Sequence, residues 1–398
     1  MTTRSAMSSV IVSGVLALAG TGCHTPPAVV GSPTPQGSAQ SAAQGAAQSV
    51  RDGANVSWPA PAIGRTYHLL PTPQTVAWGY YSAAAKPVLT VSSGDEVIVR
   101  ALSTCAPVSL VRAGLDSSRV EPEAKAIYAA RGSMDTGPGG HILTGPIYVE
   151  GADSGDVLEV RFRAIKPAID YACNSFGPRS GYMRADFPGE GRSKIIELDT
   201  VHMVAHFPVG ASTMQRTSDT VQTITIPLHP FFGSVGVAPP AAMGRVNSAP
   251  PGIHAGNLDN RELVAGSSLY IPVWAKGALL EIGDGHAGQG NGEVDITAME
   301  TSLIGDVQLV VHKNMHLAWP RAETPTHYIA MGVDSDLAQA TTIAIRNAIE
   351  LLQQEKGMTR EDAYQLLSVA GDVDVTQLVD GPYGVHVLIP KAIFTGRR

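Results

Sequence analysis

The chain has 398 residues, of which 44% are hydrophobic and 16% are charged. This apolar content is sufficient for a sizeable core, and the length corresponds to two or three average domains. The formal net charge is −7 and no Lys/Arg-rich run occurs, so we expect no nucleic-acid partner. Glycine and proline are abundant (42 and 28 residues) and aromatics make up 6%, which favours short strands and tight turns over long helices.

The N-terminus has the pattern of an export signal. Arg4 precedes an uncharged apolar run over residues 10–19, and small residues then lead to Cys23. The run is too short for a permanent membrane helix, so we expect residues 1–23 to be a signal peptide and the chain to be exported. Residues 18–23 also resemble a bacterial lipobox, although Gly20 stands where Leu, Val or Ile is usual. Cys23 is then either acylated, which gives a membrane-anchored lipoprotein, or removed by simple cleavage, which gives a periplasmic protein.

The next segment differs in composition from the rest of the chain. Residues 24–57 are rich in Pro, Gly, Ser, Ala and Gln and contain almost no large apolar side chain. Such a segment cannot bury enough surface to offset its ordering entropy, which predicts a disordered tether. We expect a folded domain over residues 58–398, with a β-rich part at 58–320 and a helical pair plus a strand at 321–398.

Strand-like runs dominate the chain up to about residue 320. Between residues 156 and 162, side chains alternate with the period of two that a half-buried strand produces. Other short runs rich in β-branched residues are bounded by turn-forming residues, which also predicts strands. Together the predicted strands cover residues 88–91, 96–100, 156–162, 195–198, 223–226, 268–273 and 307–311.

Helix signals are concentrated near the C-terminus. Residues 334–336 offer an N-cap and an acidic first turn to a helix with an apolar i, i+3, i+4, i+7 stripe from Ile345, and Gly357 supplies its end. A second helix is predicted at 359–367 and a strand at 385–389. The predicted fold class is therefore mainly β with a C-terminal α/β part, an α+β fold.

Three glycine-rich stretches between residues 230 and 301 contain most of the chemically active side chains. Glycine lets the backbone approach a ligand closely, and glycine-rich loops with ionisable groups are typical of sites rather than cores. The three stretches are FFGSVGVAPP at 231–240, PPGIHAGNLDN at 250–260 and GDGHAGQGNGE at 283–293.

Histidine and aspartate in these stretches are suited to hold a divalent metal ion, because imidazole nitrogen and carboxylate oxygen are common ligands of such ions. We expect His254, Asp259 and His286 to be metal ligands, with zinc as the expected ion. A bound metal ion polarises a carbonyl group and activates water.

Further residues are candidates for catalysis beside this metal ion. Glu293 is suited to act as general base on a water molecule and then as acid towards a leaving amine. Asp284 and His141 are the other catalytic candidates. Clustering of titratable groups favours a functional site over isolated structural roles.

Each of these residues also has a structural interpretation. Asp284 and Gly285 form a dipeptide that is common in hairpin turns. Asp259 lies between two asparagines and could serve an Asx turn. His254 and His141 could each be hydrogen-bonded structural histidines.

The cysteines leave two alternatives open. Export would permit Cys105 and Cys173 to form a disulfide, but two cysteines alone do not establish a pair, and buried or free thiols remain an alternative. Cys173 is a poor candidate for a nucleophile, because no base lies near it in the sequence.

The three glycine-rich stretches resemble signature blocks of the acetamidase/formamidase family. So do TVAWGY at 75–80, HILTGPIYVEGADSGD at 141–156 and the segment 361–379, and the blocks run in order from about Tyr67 to Phe394. The resemblance implies a β-rich fold with a C-terminal α/β part, hydrolysis of short amides to ammonia and an acid, and metal dependence in some members.

Two positions depart from the family pattern. Ala255 replaces a glycine of the usual HGGNLDN block, and Asn291 stands where members commonly have Asp. Because the five candidates His254, Asp259, Asp284, His286 and Glu293 remain, we expect retained activity with a shifted substrate preference.

The function expected from these observations is hydrolysis of the C–N bond of a small amide such as formamide or acetamide, by metal-activated water. The alternative is a non-catalytic lipoprotein that keeps the fold to bind a small ligand. The expected partners are a small-molecule amide, a membrane tether through Cys23 and, given the many small residues, further copies of the chain in a homo-oligomer.

Overall fold

The computed structural model describes residues 64–210 and 222–394. The expected signal peptide and tether lie outside these residues. In the described part, no helix has both the length and the apolar character that a membrane span requires.

The described residues form short strands for most of their length. In chain order the strands are β1 Thr66–Leu69, β2 Val76–Trp78, β3 Tyr80–Ser82, β4 Leu89–Ser92, β5 Glu96–Ala101, β6 Ile142–Glu150, β7 Val157–Pro167, β8 Tyr171–Phe176, β9 Arg192–Asp199, β10 Val204–Pro208, β11 Thr223–Pro227, β12 Phe231–Gly236, β13 Arg245–Asn247, β14 Ala255–Asn257, β15 Ser268–Pro272, β16 Leu280–His286, β17 Leu303–His312, β18 Arg321–Glu323, β19 His327–Asp334, β20 Asp372–Gln377 and β21 Tyr383–Pro390. The α-helices are α1 Pro107–Arg112, α2 Pro122–Ala130, α3 Leu337–Lys356 and α4 Arg360–Ala370.

The strands form four sheets. The largest has nine strands in the order β1-β5-β17-β7-β15-β18-β19-β21-β20. A second contains β14-β12-β16-β6-β2, with β4 also paired to β6. A third has the order β11-β10-β9-β8, and β13 pairs with β3. Most neighbours are antiparallel, but β1 with β5 and β4 with β6 are parallel.

The main core contains apolar side chains of the nine-stranded sheet and of the sheet that contains β16. Val99 and Val160 come from the first sheet and Ile282 from the second, and none of them is exposed. The rings of Phe162 on β7 and Phe232 on β12 lie 6.4 Å apart, which joins the two sheets. Burial of such a continuous apolar layer is the main stabilising contribution to the fold.

The C-terminal part packs two helices against β19 and β21. Asp336 caps α3 by accepting a hydrogen bond from the backbone N–H of Gln339 (2.9 Å), and Gly357 ends the helix at φ +64°. Thr359 caps α4 in the same way. The buried stripe of α3 includes Ala344 and other small residues that contact the sheet.

The predicted fold class is confirmed, and the predicted C-terminal helices and strand are present. Two differences stand out. Helices α1 and α2 occur in the part for which only strands were predicted, and all three glycine-rich stretches contain strand residues, from β12, β14 and β16. In the stretch 231–240, β12 pairs with β16, which is itself in the stretch 283–293. Hydrogen bonding in the sheet overrides the turn preference of glycine there.

Candidate active site

A cavity of about 370 Å³ opens at the edge where β16, α1 and the β20–β21 connection meet. Its volume lies within the range of ligand pockets in proteins. Its lining includes the acidic residues Asp284, Glu293, Glu300 and Asp380 and apolar residues such as Leu110. A lining with both acidic and apolar residues suits a small substrate that has a polar reacting group.

His286 lies buried among several carboxylates beside the cavity. Its Nε2 atom is 3.3 Å from Asp284 Oδ2, 3.3 Å from Glu300 Oε1 and 4.0 Å from Asp259 Oδ1. Three overlapping groups have ligand-type atoms within 4.8 Å of one another: Asp259, Asp284 and His286; His286, Glu293 and Glu300; and Asp259, Glu293 and Asp380. The structure therefore brings together four of the six residues predicted from the sequence and adds Glu300 and Asp380.

The tautomer of His286 is set by Gln289. The amide nitrogen of Gln289 donates to the backbone carbonyl of Asp259 (2.9 Å), so its side-chain oxygen faces His286 Nδ1, also at 2.9 Å. Nδ1–H then donates to that oxygen, and Nε2 faces the carboxylates. A histidine whose second nitrogen is held in this way is the usual form of a metal ligand.

Three acidic residues of the site have unusual backbone conformations. Asp259, Asp284 and Glu293 have φ values of +48°, +55° and +42°. A side chain in this region costs about 1–3 kcal/mol, and such residues concentrate at functional sites. The backbone of these three residues is therefore strained at the point where their carboxylates come together.

Gly233 on β12 keeps space open beside the cluster. A methyl group at this position would collide with Asp259 Oδ1 and Asp284 Oδ2 and would lie 3.0 Å from Cε1 of His286. The carbonyl oxygen of Gly233 also accepts the backbone N–H of Asp259 (3.1 Å). Glycine is thus required for the carboxylates to approach the strand.

The electrostatics of the cluster show an excess of buried negative charge. Burial raises the pKa of Glu293 well above its usual value, and the charge of Asp380 adds to this effect. Burial also raises the pKa of Asp380, to about 6. Burial alone would lower the pKa of His286, but Glu300 and Asp284 outweigh it and raise the pKa.

These residues fit a divalent cation. Asp259 Oδ1, Glu293 Oε2 and Asp380 Oδ2 are buried and have no hydrogen-bond partner among the described residues. Unpaired buried carboxylate oxygens are costly, and a cation would pair with them. Imidazole and carboxylate donors suit zinc and related ions.

His141 lies at the cavity, away from the centre of the cluster. Its Nδ1 atom is 3.2 Å from the carbonyl oxygen of Ser248 and 3.0 Å from its hydroxyl. Its Nε2 atom points towards Asp284, at 3.9 Å from Oδ2. His141 therefore lines the cavity beside Asp284.

His254 is not part of any of the three groups. It lies in a tight turn in which Gly252 and Ala255 exchange backbone hydrogen bonds, and its ring packs edge-on against Tyr81 with centroids 5.0 Å apart. Burial lowers the pKa of His254 to about 4, which keeps the ring neutral. The turn holds this side chain against Tyr81 instead of bringing it to the cluster of carboxylates.

Asp380, Glu300 and Gln289 were not among the residues predicted for the site. Asp380 lies in the β20–β21 connection, where the side chain of Gln377 accepts its backbone N–H (3.1 Å). That connection is docked beside Glu293 by hydrogen bonds of Gly292 with Thr376 and Leu378. In the sequence, Asp380 stands directly before Gly381, and an acidic residue beside a glycine could have indicated a site. Its contact with Glu293 arises only on folding, because about 90 residues separate the two in the sequence.

The two positions that depart from the family pattern have different environments. Ala255 is fully buried at φ +63°, a conformation that favours glycine, which explains the glycine of the usual block. Asn291 is exposed and belongs to none of the three groups of ligand-type atoms.

Cys105 and Cys173 form a disulfide, which resolves the alternative left open by the sequence. Both cysteines line the cavity. Cys173 is therefore not available as a thiolate nucleophile.

Comparisons with known proteins identify the family of the chain. A sequence model of the acetamidase/formamidase family matches residues 138–249 and 241–396. The chain is 27% identical to a formamidase of Methylophilus methylotrophus over 64% of this chain and 77% of that protein. It is 25% identical to an acetamidase of Mycolicibacterium smegmatis, over 58% and 73%.

Solved structures give the same result. The crystal structure of an acetamidase from Bacillus halodurans has a TM-score of 0.65 and 26% identity, covering 82% of this chain and 98% of that chain. An acetamidase from Yersinia enterocolitica has a TM-score of 0.65 and 29% identity, covering 83% and 93%. The predicted family resemblance is confirmed: the chain belongs to the acetamidase/formamidase family.

Proposed function

We propose that this chain is a metal-dependent amidohydrolase that cleaves the C–N bond of a small aliphatic amide, with ammonia and a carboxylate as products. The observation that carries the proposal is the cluster of Asp259, Glu293 and Asp380, whose unpaired buried oxygens a cation would pair with, beside His286 at a cavity of substrate size. The names of the formamidase and acetamidase relatives support the reaction class.

The metal ion would be held by His286 together with carboxylates of Asp259, Asp284 and Glu300, each of which shares a group of ligand-type atoms with His286. When bound, it supplies Lewis acidity, which polarises an amide carbonyl and makes a water molecule more acidic. Asp259 is further held by the side-chain amide of Asn257, which donates to its second oxygen. Such contacts keep ligands oriented.

Glu293 is suited to be the proton carrier. Its carboxylate faces the cavity, and burial raises its pKa, so it can take a proton from water and return it to the leaving nitrogen. Water then supplies the oxygen of the carboxylate product, and its protons leave with ammonia.

His141 would orient the substrate amide. Because Ser248 contacts Nδ1, the Nε2 atom is left to meet the carbonyl or the leaving amine on the Asp284 side of the cavity. The apolar residues of the lining, such as Ala106, Leu110 and Ile296, would receive the acyl group.

Replacement of Glu293 by glutamine tests the role of the proton carrier. We expect turnover of acetamide to fall by about 10²–10⁴, the usual contribution of general acid–base catalysis. Glu350→Gln, on the exposed face of α3, is the matched control and should keep full turnover. Full turnover by Glu293→Gln would contradict the role of Glu293 as proton carrier. A wild type that binds a small ligand without turning over any amide would favour the non-catalytic alternative.

We also propose that the protein acts outside the cytoplasm. The Cys105–Cys173 disulfide supports this, because such bonds persist mainly in oxidising compartments. The signal-like residues 1–23 support it independently. Fractionation of a bacterium that expresses the wild type and Cys23→Ala tests both parts: release of only the variant from the membrane indicates acylation, and retention of the wild type in the cytoplasm contradicts export.

A further inference from the structure

Glu300 lies between two strands that belong to different sheets. On one side its neighbour Thr301 donates a backbone hydrogen bond to Gly285 of β16 (2.7 Å), and Glu300 itself bridges to His286. On the other side Glu300 and Cys173 of β8 exchange backbone hydrogen bonds of 2.8 and 2.9 Å. The backbone of Glu300 is therefore fixed relative to both His286 and Cys173.

The side chain of Glu300 is fixed separately. Its Oε1 atom accepts the backbone N–H of Ala298 (2.8 Å) and lies 3.3 Å from His286 Nε2. Its Oε2 atom accepts the hydroxyl of Thr104, also at 2.8 Å. The Thr104 hydroxyl is thus the contact that orients the second carboxylate oxygen, and it comes from a segment remote in sequence.

Thr104 directly precedes Cys105, and the disulfide joins Cys105 to Cys173. The covalent bond consequently links the segment that holds the side chain of Glu300 to the strand that holds its backbone. Ser103 and Thr104 form a short segment before Cys105. The backbone N–H of Ser103 donates to the hydroxyl of Ser302 (2.9 Å), which connects this segment to the rest of the site. Without the bond, the position of the Thr104 hydroxyl would depend on these weaker contacts.

We propose that the Cys105–Cys173 disulfide and Thr104 act as one positioning unit for Glu300, so that full catalytic competence requires the bond to be formed. This rests on the proposed function for its effect on turnover. A specific role is thereby assigned to three residues that otherwise only line the cavity: Thr104, Cys105 and Cys173. Contacts that orient metal-ligating carboxylates commonly change metal affinity or activity by 10–100-fold.

A purely structural disulfide gives a different expectation. It would restrict the unfolded chain and raise the thermal midpoint without changing the turnover of folded protein. The positioning role instead requires kcat and zinc affinity to change at temperatures where every variant is folded. These two readouts separate the interpretations.

The first test compares Thr104→Val, which loses the hydroxyl at nearly constant volume, with Thr104→Ser, which keeps it. We expect Thr104→Val to lower both zinc affinity and kcat for acetamide by about 10-fold or more, with a smaller change in KM, and Thr104→Ser to retain most of both. Thr342→Val on α3 is a matched control remote from the site and should behave as the wild type. Wild-type zinc affinity and kcat in Thr104→Val would overturn the proposal.

The second test uses Cys105→Ala/Cys173→Ala and combines it with Thr104→Val. If the three residues act through Glu300 as a unit, the triple variant should lose little more than Thr104→Val alone, because the effects are non-additive. A double cysteine variant with a lower thermal midpoint but wild-type kcat and zinc affinity would contradict the proposal. So would alkylation of both cysteines, seen by mass spectrometry, in fully active unreduced wild type.

The two proposals fail in different ways. Metal-replete wild type without turnover of any short amide overturns the proposed function, and zinc affinity of the same variants then decides whether the unit positions Glu300. Wild type that neither turns over amides nor binds zinc overturns both.

Discussion

The Nδ1 atom of His286 lies 2.9 Å from the side-chain oxygen of Gln289, and this contact directs Nε2 towards the acidic cluster. Gln289 is itself oriented by its hydrogen bond to the carbonyl of Asp259. The proton on Nδ1 is thus held by Gln289, and the proton on Nε2 is the one that a metal ion would displace.

Replacement of Gln289 by methionine removes this contact while keeping the side-chain length. We expect zinc affinity to fall by about 10–100-fold, because the imidazole loses its fixed tautomer and orientation. Competition with a chromophoric chelator measures the affinity. Gln354→Met on α3 is the control, and equal affinities in the two variants would contradict the assigned role of Gln289.

Gly233→Ala tests whether the space beside the cluster is required. The added methyl group collides with carboxylate oxygens of Asp259 and Asp284, so those side chains must move. We expect a loss of about 1–3 kcal/mol in stability and a marked fall in zinc content after dialysis. Gly132→Ala adds its methyl group in open space and should retain both properties. If Gly233→Ala retains a stoichiometric amount of zinc after dialysis, the cluster tolerates displacement of the Asp259 and Asp284 side chains. That result would contradict the assigned role of Gly233.

Zinc binding should release protons near pH 6. In the metal-free cluster, burial raises the pKa of Asp380 to about 6, and the pKa of His286 is also raised, so both groups carry protons that a cation must displace. Affinity should therefore rise as the pH increases through 6 and fall below it. Calorimetry in buffers of different ionisation enthalpy counts the protons, and a buffer-independent enthalpy at pH 6 would be inconsistent with these shifts.

Glu159 should stabilise the fold in a pH-dependent manner, away from the site. Burial alone would raise its pKa, but hydrogen bonds from His312 and Arg161 lower it from 4.5 to about 2. Because the folded value is below the unfolded one, its stabilisation is present above about pH 4.5 and is lost as the pH falls towards 2, with a full size of about 3 kcal/mol. Acid denaturation of Glu159→Gln should show a smaller stability change over this window. A profile that parallels the wild type there would contradict the assignment.

Local pattern predicted the C-terminal pair of helices and eight of the 21 strands in the described residues. The segment 156–162, in which side chains alternate, overlaps β7. The capping residues Asp336 and Gly357 lie where α3 begins and ends. The strands that carry the site were missed, because Phe231–Gly236 and Leu280–His286 contain glycines that indicate loops in isolation. Their pairing within one sheet supplies the hydrogen bonds that local preference cannot show.

Part of the site could also be predicted, because several of its residues lie in recognisable local motifs. His286, Asp259, Asp284 and Glu293 lie in dense motifs, so their types and spacing point to a metal ion. Asp380 is brought to the site only by the docking of the β20–β21 connection on Gly292, a contact between distant parts of the chain. His254 is in an equally dense motif, yet its turn directs the ring against Tyr81.

The most direct measurement of the central claim is ammonia release from formamide, acetamide and slightly larger amides by three samples of wild type: metal-replete, chelator-treated and zinc-restored. We expect release by the first, loss of at least about 90% in the second and recovery in the third, because the buried carboxylates and His286 form the reactive centre only with a cation. Absence of ammonia from every amide with metal-replete protein would contradict the amidohydrolase function, and full release after verified metal removal would contradict the metal mechanism.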